Sequence, residues 1–194
     1  MRDAMSGDDG CVTPAPGKDR RETLAVLGAG LAGAAINAPG HAKAEAVRMA
    51  PIPGDEDFMR MAIAEASQAD FPFGAVIVRE GKVLAVGRNL GKTTNDPTAH
   101  GEMVAIRRFV ASRPDGELKG TTLYTSGEPC PMCMGAILWC GIGRVVFAAS
   151  IEELATKMGQ IMLTSRAVAD AAPFASIAIT GGVLSAEALA LFSK

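Results

Sequence analysis

Short β-branched runs alternate with stretches of helical character over most of the chain after residue 58, and this alternation limits the possible fold. The runs Gly74–Arg79 and 82–87 are joined by Glu80-Gly81, which is typical of a tight hairpin. Strands alternating with helices favour an α/β layer fold. The remaining elements expected from the pattern are helices over 58–69, 99–111, about ten residues from Pro131, 151–158 and 185–192, and strands over 121–126, 144–149 and 176–179.

The composition suits one catalytic domain and disfavours a nucleic-acid partner. The chain has 194 residues, and 48% of them are apolar, which is enough for a sizeable core. The formal net charge is only −2, so the chain lacks the excess of basic residues that phosphate-backbone binding normally needs. Four cysteines are too few for a disulfide scaffold.

The first 44 residues differ in kind from the rest. Residues 1–19 are polar and rich in Gly and Pro, and are predicted to be a disordered head. Arg20-Arg21 then precedes a Gly-rich apolar run over 24–36 and the small-x-small triplet Ala42-Lys43-Ala44. This layout resembles a twin-arginine export leader, which predicts a periplasmic protein with its catalytic domain over 45–194. The cytoplasm is the alternative.

Two other interpretations of the same apolar run are weaker. The run is shorter than the roughly 20 residues that span a bilayer, so no stable membrane anchor is expected. Residues 28–33 also match the dinucleotide-binding pattern G-x-G-x-x-G. That pattern needs a following helix, which Pro39-Gly40 would break within ten residues, so we do not expect a dinucleotide site.

Three potential zinc ligands fall at predicted helix starts. His100 opens one helix, and Cys130 and Cys133 open another, where the positive helix end favours thiolates. Three protein ligands leave one position of a tetrahedral zinc site open, the arrangement of a catalytic centre. Glu102, two residues after the histidine, could take a proton from water and pass it to a leaving amine.

Each of these residues also has a simpler interpretation. A histidine near a helix start is often a capping or surface residue, and a lone C-x-x-C pair is often structural zinc or a redox pair. A structural zinc would normally need a fourth Cys or His, but Cys11 and His41 lie in the segment expected to be removed. Cys140 lies about 10 Å further along the helix of Cys133, and is expected to be a buried thiol.

The motifs 95–102, NDPTAHGE, and 128–133, EPCPMC, resemble the cytidine deaminase-like superfamily of zinc deaminases. The similarity extends over roughly residues 55–150, and is greatest to bacterial guanine deaminases and tRNA adenosine deaminases. The resemblance implies a three-layer αβα sandwich around a mixed five-stranded sheet, one Zn²⁺ per chain and a homodimer. It also implies hydrolytic deamination of a small nucleobase, with guanine favoured, and with tRNA or nucleoside deamination or a non-catalytic zinc protein as alternatives.

The resemblance further implies the substrate contacts. Asn89 would hydrogen-bond the substrate ring, Phe73 would stack on it, and Trp139 would line the far wall. Two positions depart from the pattern: Gly101 replaces the usual alanine, and Gly127 stands where guanine deaminases generally carry cysteine. The chain after residue 151 lacks a stretch like the RNA-contacting end of tRNA adenosine deaminases, which favours a free base as substrate.

Overall fold

The computed structural model of the protein describes residues 46–193 and contains one mixed six-stranded sheet. The strands are β1 (Val47–Arg48), β2 (Gly74–Arg79), β3 (Lys82–Arg88), β4 (Thr122–Gly127), β5 (Arg144–Ala149) and β6 (Ala178–Thr180). Their order is β1-β6-β5-β4-β2-β3, in which β1, β6, β5 and β4 run parallel while β2 and β3 are antiparallel to their neighbours.

Within the described range, five α-helices lie between strands and a sixth follows the last strand. They are α1 (Asp55–Ala66), α2 (Gly101–Val110), α3 (Pro131–Trp139), α4 (Ile151–Ala155), α5 (Ser165–Asp170) and α6 (Ser185–Ala190). Short 3-10 helices cover Asp115–Leu118 and Leu191–Ser193. None of the helices between residues 46 and 193 combines the length and the apolar character that a membrane crossing requires.

Both faces of the sheet are covered, because its central strands alternate their apolar side chains between two cores. On one face, Ala75 and Ile77 of β2 belong to a core that includes residues of α2, α3 and α5. On the other face, Val76 and Val78 pack with residues of α1 and α6. The expected three-layer αβα fold is therefore confirmed.

The element boundaries explain where the sequence prediction was incomplete. The hairpin was predicted correctly, since Glu80 and Gly81 both take positive φ, as a tight two-residue turn requires. The sheet has six strands, whereas five were expected. The additional strand, β1, was missed because its two residues are too few to show an alternating pattern. Helix α5, with six residues, was missed for a similar reason.

The expectations for the first 44 residues lie outside the described range. The disordered head, the twin-arginine-like leader and the G-x-G-x-x-G match all fall among residues 1–45, which the structure does not describe. The same holds for Cys11 and His41. These remain expectations from the sequence.

Candidate metal centre and substrate cavity

The three predicted ligands are brought together by the starts of two helices. His100 is the N-cap residue of α2, Cys130 is the N-cap residue of α3, and Cys133 lies in the first turn of α3. Pro131 occupies the first helical position of α3, where the missing N–H costs no hydrogen bond. The backbone therefore delivers all three side chains to one point, where two positive helix ends also meet.

The spacing of the three ligand atoms fits a zinc ion. The Nδ1 atom of His100 lies 3.7 Å from the Sγ of Cys130 and 3.6 Å from the Sγ of Cys133. Zn–N and Zn–S bonds at a tetrahedral angle place nitrogen and sulfur about 3.6 Å apart. Among residues 46–193, these three side chains form the one group of Cys, His or carboxylate ligands whose spacing suits a metal ion. Cys140, at the end of α3, is not part of it and packs against the core.

The two thiols differ in their readiness to ionise. A hydrogen bond from Cys133 lowers the pKa of Cys130 to about 4, which favours the thiolate that zinc binds. The same hydrogen bond, followed by burial, raises the pKa of Cys133. Hydrogen bonding to Cys130 raises the pKa of His100 despite the opposing effect of burial. The donor set thus holds protons that a bound cation has to displace.

Glu102 is a buried carboxyl group beside this cluster. Glu102 is only 5% exposed, and it lies in the first turn of α2, two positions after His100. Burial raises the pKa of Glu102 above its ordinary value. A buried carboxyl group with a shifted pKa beside a ligand cavity is a candidate for proton transfer, and Glu102 has this environment.

A cavity of about 490 Å³ opens beside the cluster, within the size range of small-molecule sites. Of the residues predicted from the sequence, it is lined by His100, Cys130, Glu102, Asn89 and Phe73. Two of the three predicted metal ligands, the buried carboxyl group and two of the three expected substrate contacts therefore line one cavity.

Asn89 offers a hydrogen-bond donor to this cavity. Asn89 is 4% exposed, and its Oδ1 accepts a hydrogen bond from the backbone N–H of Gly91 at 3.0 Å. Its backbone N–H donates to the carbonyl oxygen of Phe73 at 2.9 Å. The Nδ2 amide group, which carries two N–H donors, is available to a ligand, and Oδ1 keeps a second lone pair.

Trp139 does not line this cavity, although it was expected to form the far wall. It is the last residue of α3 and is 78% exposed. Its ring stacks on Phe174 with centroids 4.5 Å apart. Trp139 lies two helical turns after Met132 on the outward face of α3, whereas Cys133 and Ile137 face the interior.

Sequence reasoning missed several residues around the cavity. Those lining it that were not predicted are Phe71, Gly91, Lys92, Asn95, Pro97, Glu128, Met158, Gly159 and Gln160. Asn95, Pro97 and Glu128 fall within the two motifs, and so carried a signal. The segment 158–160 carried none, because only the tertiary path of the chain after α4 brings it to the site.

Glu128 links the metal-binding loop to the segment that follows. Its carboxylate accepts hydrogen bonds from the backbone N–H of Ile151 at 3.0 Å and of Ser165 at 2.8 Å. The hydroxyl of Ser165 donates a third at 2.7 Å. One buried side chain therefore anchors the starts of α4 and α5 next to the cavity.

Comparison with known families agrees with this geometry. The cytidine and deoxycytidylate deaminase zinc-binding region matches residues 53–149, which include the hairpin, both ligand helices and Glu102. The chain belongs to this zinc deaminase family. Zinc is the metal of the family, and His100, Cys130 and Cys133 could hold it here.

Curated relatives include two kinds of deaminase. The chain is 43% identical over 105 residues to the guanine deaminase of Bacillus subtilis, a match that covers 52% of this chain and 67% of that protein. It is 40% identical over 99 residues to the tRNA-specific adenosine deaminase of the same organism, covering 49% and 62%. It is also 46% identical over 99 residues to the chloroplastic tRNA(adenine(34)) deaminase of Arabidopsis thaliana, covering 49% of this chain but 8% of that one. The chain therefore spans less than two thirds of the length of some relatives that it matches.

Solved structures share the fold. One from a study of A-to-I editing by tRNA:A34 deaminases is 30% identical with a TM-score of 0.58, covering 70% of this chain and 98% of that one. The guanine deaminase from Nitrosomonas europaea is 23% identical with a TM-score of 0.59, covering 85% and 97%. The second similarity supports the architecture alone.

Proposed function

We propose that this protein hydrolytically deaminates a free nucleobase, with guanine as the favoured substrate, and releases ammonia. The observation that carries the proposal is the buried carboxyl group of Glu102 beside three potential zinc ligands, at a cavity that Glu102 and two of these ligands line. Metal ligands alone would suit a structural site. A buried acid next to an incomplete ligand set is what hydrolysis of a carbon–nitrogen bond requires.

The residues of the chain have separate roles in this reaction. When bound by His100, Cys130 and Cys133, zinc supplies a Lewis acid that makes water a better nucleophile near neutral pH. Glu102 takes one proton from the water as the water oxygen bonds to the amino-bearing ring carbon, and passes this proton to the adjacent ring nitrogen. It then moves the second proton from the new hydroxyl group to the leaving amino group. The carbon–nitrogen bond breaks, ammonia departs, and a carbonyl group remains on the ring.

Two further side chains would hold the substrate ring. Asn89 would donate from Nδ2 to an acceptor on the ring edge, with its amide group oriented by the hydrogen bond from Gly91 to Oδ1. Phe73 would pack on the ring face, because it lines the same cavity. Both roles keep the amino-bearing carbon near Glu102, where proton transfer takes place.

A free base is favoured over tRNA by the charge of the chain. The net charge of −2 gives little attraction to a polyanion. Similarity does not separate the two substrates, because the identity to the guanine deaminase, 43%, lies between the 40% to the tRNA-specific adenosine deaminase of the same organism and the 46% to the chloroplastic tRNA(adenine(34)) deaminase. Those tRNA-acting relatives, and the solved structure at 30% identity, make tRNA adenosine deamination the second candidate.

Ammonia release from a substrate panel tests the proposal. Zinc-loaded protein would be assayed with guanine, adenine, cytosine, guanosine and an aminotriazine, and separately with a tRNA that carries adenosine at position 34. We expect guanine to give the highest kcat/KM. Activity confined to the tRNA would contradict the free-base proposal, and absence of activity on every substrate would contradict deamination itself.

We also propose that the protein forms a homodimer through α3. The outward side of this helix is apolar, with Met132 37% and Trp139 78% exposed. The stacked ring of Phe174, which is 57% exposed, extends the same surface. A second copy is the favoured occupant, because an apolar patch of this kind is typical of a protein interface and the resemblance implies a dimer.

A further inference from the structure

The ring of Phe73 occupies the space that a side chain at residue 127 would fill. A Cβ atom built at Gly127 would lie 2.9 Å from Cε1 and 3.1 Å from Cδ1 of Phe73, and 3.0 Å from Cδ1 of Leu154. Such contacts are shorter than normal van der Waals separations. Because the φ angle of Gly127 is not in the left-handed region, the glycine is needed here for space and not for its backbone conformation.

A residue near the end of the described chain, Phe192, also packs against this ring. Phe192, in the 3-10 helix Leu191–Ser193, packs edge-on against Phe73 with centroids 5.5 Å apart and an interplanar angle of 70°. This T-shaped geometry is one that aromatic pairs favour. Phe192 itself does not line the cavity, so its influence on a ligand would act through Phe73.

The backbone of Phe73 is tied to the site independently of its ring. Its carbonyl oxygen accepts from the backbone N–H of Asn89 at 2.9 Å, and the next residue, Gly74, donates its N–H to Ser126 Oγ at 3.0 Å. The main chain is therefore held by Asn89, directly after β3, and by Ser126 of β4. The remaining freedom is the rotation of the side chain, for which Gly127 leaves space and which Phe192 restricts.

We propose that Gly127 and Phe192 are positioning residues that set the place of the Phe73 ring, and thereby the width of the cavity for a purine ring. This inference rests on the proposed function. Gly127 leaves a recess into which the ring withdraws, and Phe192 keeps the ring in that recess. Neither residue lines the cavity, whereas Phe73 does, so a ring displaced from the recess moves into the ligand space.

The variants Phe192→Ala and Gly127→Ala test the proposal in the zinc-loaded full chain. The measured quantities are kcat and KM for guanine, and Ki for xanthine, the deamination product, as a competitive inhibitor. We expect Phe192→Ala to raise KM and Ki by about 3- to 10-fold, the size of one lost aromatic contact, with kcat within about twofold of wild type. Phe192→Tyr should restore both values.

Gly127→Ala should raise KM and the Ki of xanthine on the order of tenfold, because the added methyl group pushes the ring forward. In a Phe73→Leu background, the same change should cost about twofold or less, since the smaller side chain leaves room for the methyl group. This dependence on residue 73 separates ring positioning from a general loss of stability. If Gly127→Ala does not fold, the KM and Ki values of the Phe192 variants test the inference by themselves.

Phe58→Ala is the matched control. Phe58 also pairs with an aromatic ring, that of Tyr124 at 5.2 Å, but neither residue lines the cavity. Phe58→Ala should lower the thermal stability and leave KM and Ki unchanged. If Phe192→Ala and Gly127→Ala behave like this control, the inference is overturned.

The wild type separates this inference from the proposed function. Wild type active on another purine base, but not on guanine, would refute the guanine assignment alone, and the variants would then be compared on that base and its product. Wild type inactive on every base, and not bound by xanthine, would overturn both.

Discussion

Arg144 and Asp55 form a bidentate ion pair inside the protein, with Nη1–Oδ1 and Nη2–Oδ2 distances of 2.7 Å. Asp55 is 1% exposed and also accepts a hydrogen bond from the hydroxyl of Tyr124 at 2.9 Å. Arg144 donates a further one to Thr180 at 3.0 Å. The pair joins the start of α1 to the start of β5, so it fixes a helix against the sheet that carries the site.

This ion pair predicts a loss of stability in acid. Burial alone would raise the pKa of Asp55, but the hydrogen bonds from Arg144, Ile52 and Tyr124 lower it below the ordinary value. A lowered pKa gives stability that is complete above the unfolded value of about 3.9 and is lost as the pH falls through the folded value. Urea unfolding between pH 7 and pH 2 should therefore show this contribution disappear below about pH 4.

Asp55→Asn tests the same pair at neutral pH. Removing the carboxylate leaves a buried guanidinium without its partner, and should lower the free energy of unfolding by about 3–5 kcal/mol. Asp57→Asn is the matched control on the same helix, since Asp57 is exposed and pairs only with Arg60 at 3.4 Å. Equal stability losses in the two variants would contradict a special role for the buried pair.

Metal content provides the second prediction. The protein should contain about one zinc per chain, and Cys133→Ala should lose zinc, activity and some thermal stability together. Cys140→Ala is the control, because this thiol belongs to the same helix but lies outside the ligand cluster. Elemental analysis after dialysis measures the outcome, and full zinc occupancy in Cys133→Ala would refute the ligand assignment.

The sequence predicted the metal centre better than the cavity around it. Cys130 and Cys133 lie on one helix start, and His100 on another, so short-range patterns were enough to identify them. Met158 and Phe192 are placed by loops and by the path of the chain after the sheet, which no local periodicity reveals. Trp139 lies outside the cavity lining of the single chain, which its sequence pattern could not reveal, because a helix that is apolar on all sides does not show which side faces inward.

The third prediction concerns the exposed face of α3. Trp139→Asp should weaken self-association by at least about 30-fold, because a central tryptophan commonly contributes 2 kcal/mol or more to an interface. Sedimentation velocity over a concentration series measures this effect. Met61→Asp is the control, since Met61 is 40% exposed on α1, away from that face. A wild type that is monomeric at every concentration would exclude the proposed dimer.

The N-terminal segment gives the fourth prediction. We propose that Arg20-Arg21 and the following apolar run direct export to the periplasm, with cleavage after Ala44. In the native host the mature protein should begin at Glu45 and appear in the periplasmic fraction. Replacing both arginines with lysine should retain the uncleaved chain in the cytoplasm, whereas Arg2→Lys should not. N-terminal sequencing that finds Met1 or Met5 on the wild type would oppose export.

The final prediction separates catalysis from metal binding at Glu102. The carboxyl group is not one of the three ligand atoms, so Glu102→Gln should keep the zinc and the fold, as elemental analysis and thermal unfolding can verify. It should lose about 10² to 10⁴ in kcat, or roughly 3–5 kcal/mol of barrier, because neither the attacking water nor the leaving amine then has a proton-transfer partner. Glu117→Gln, at an exposed position paired with Arg113, should leave kcat unchanged. Activity of Glu102→Gln within a few fold of wild type, with zinc still bound, would show that proton transfer uses a different group.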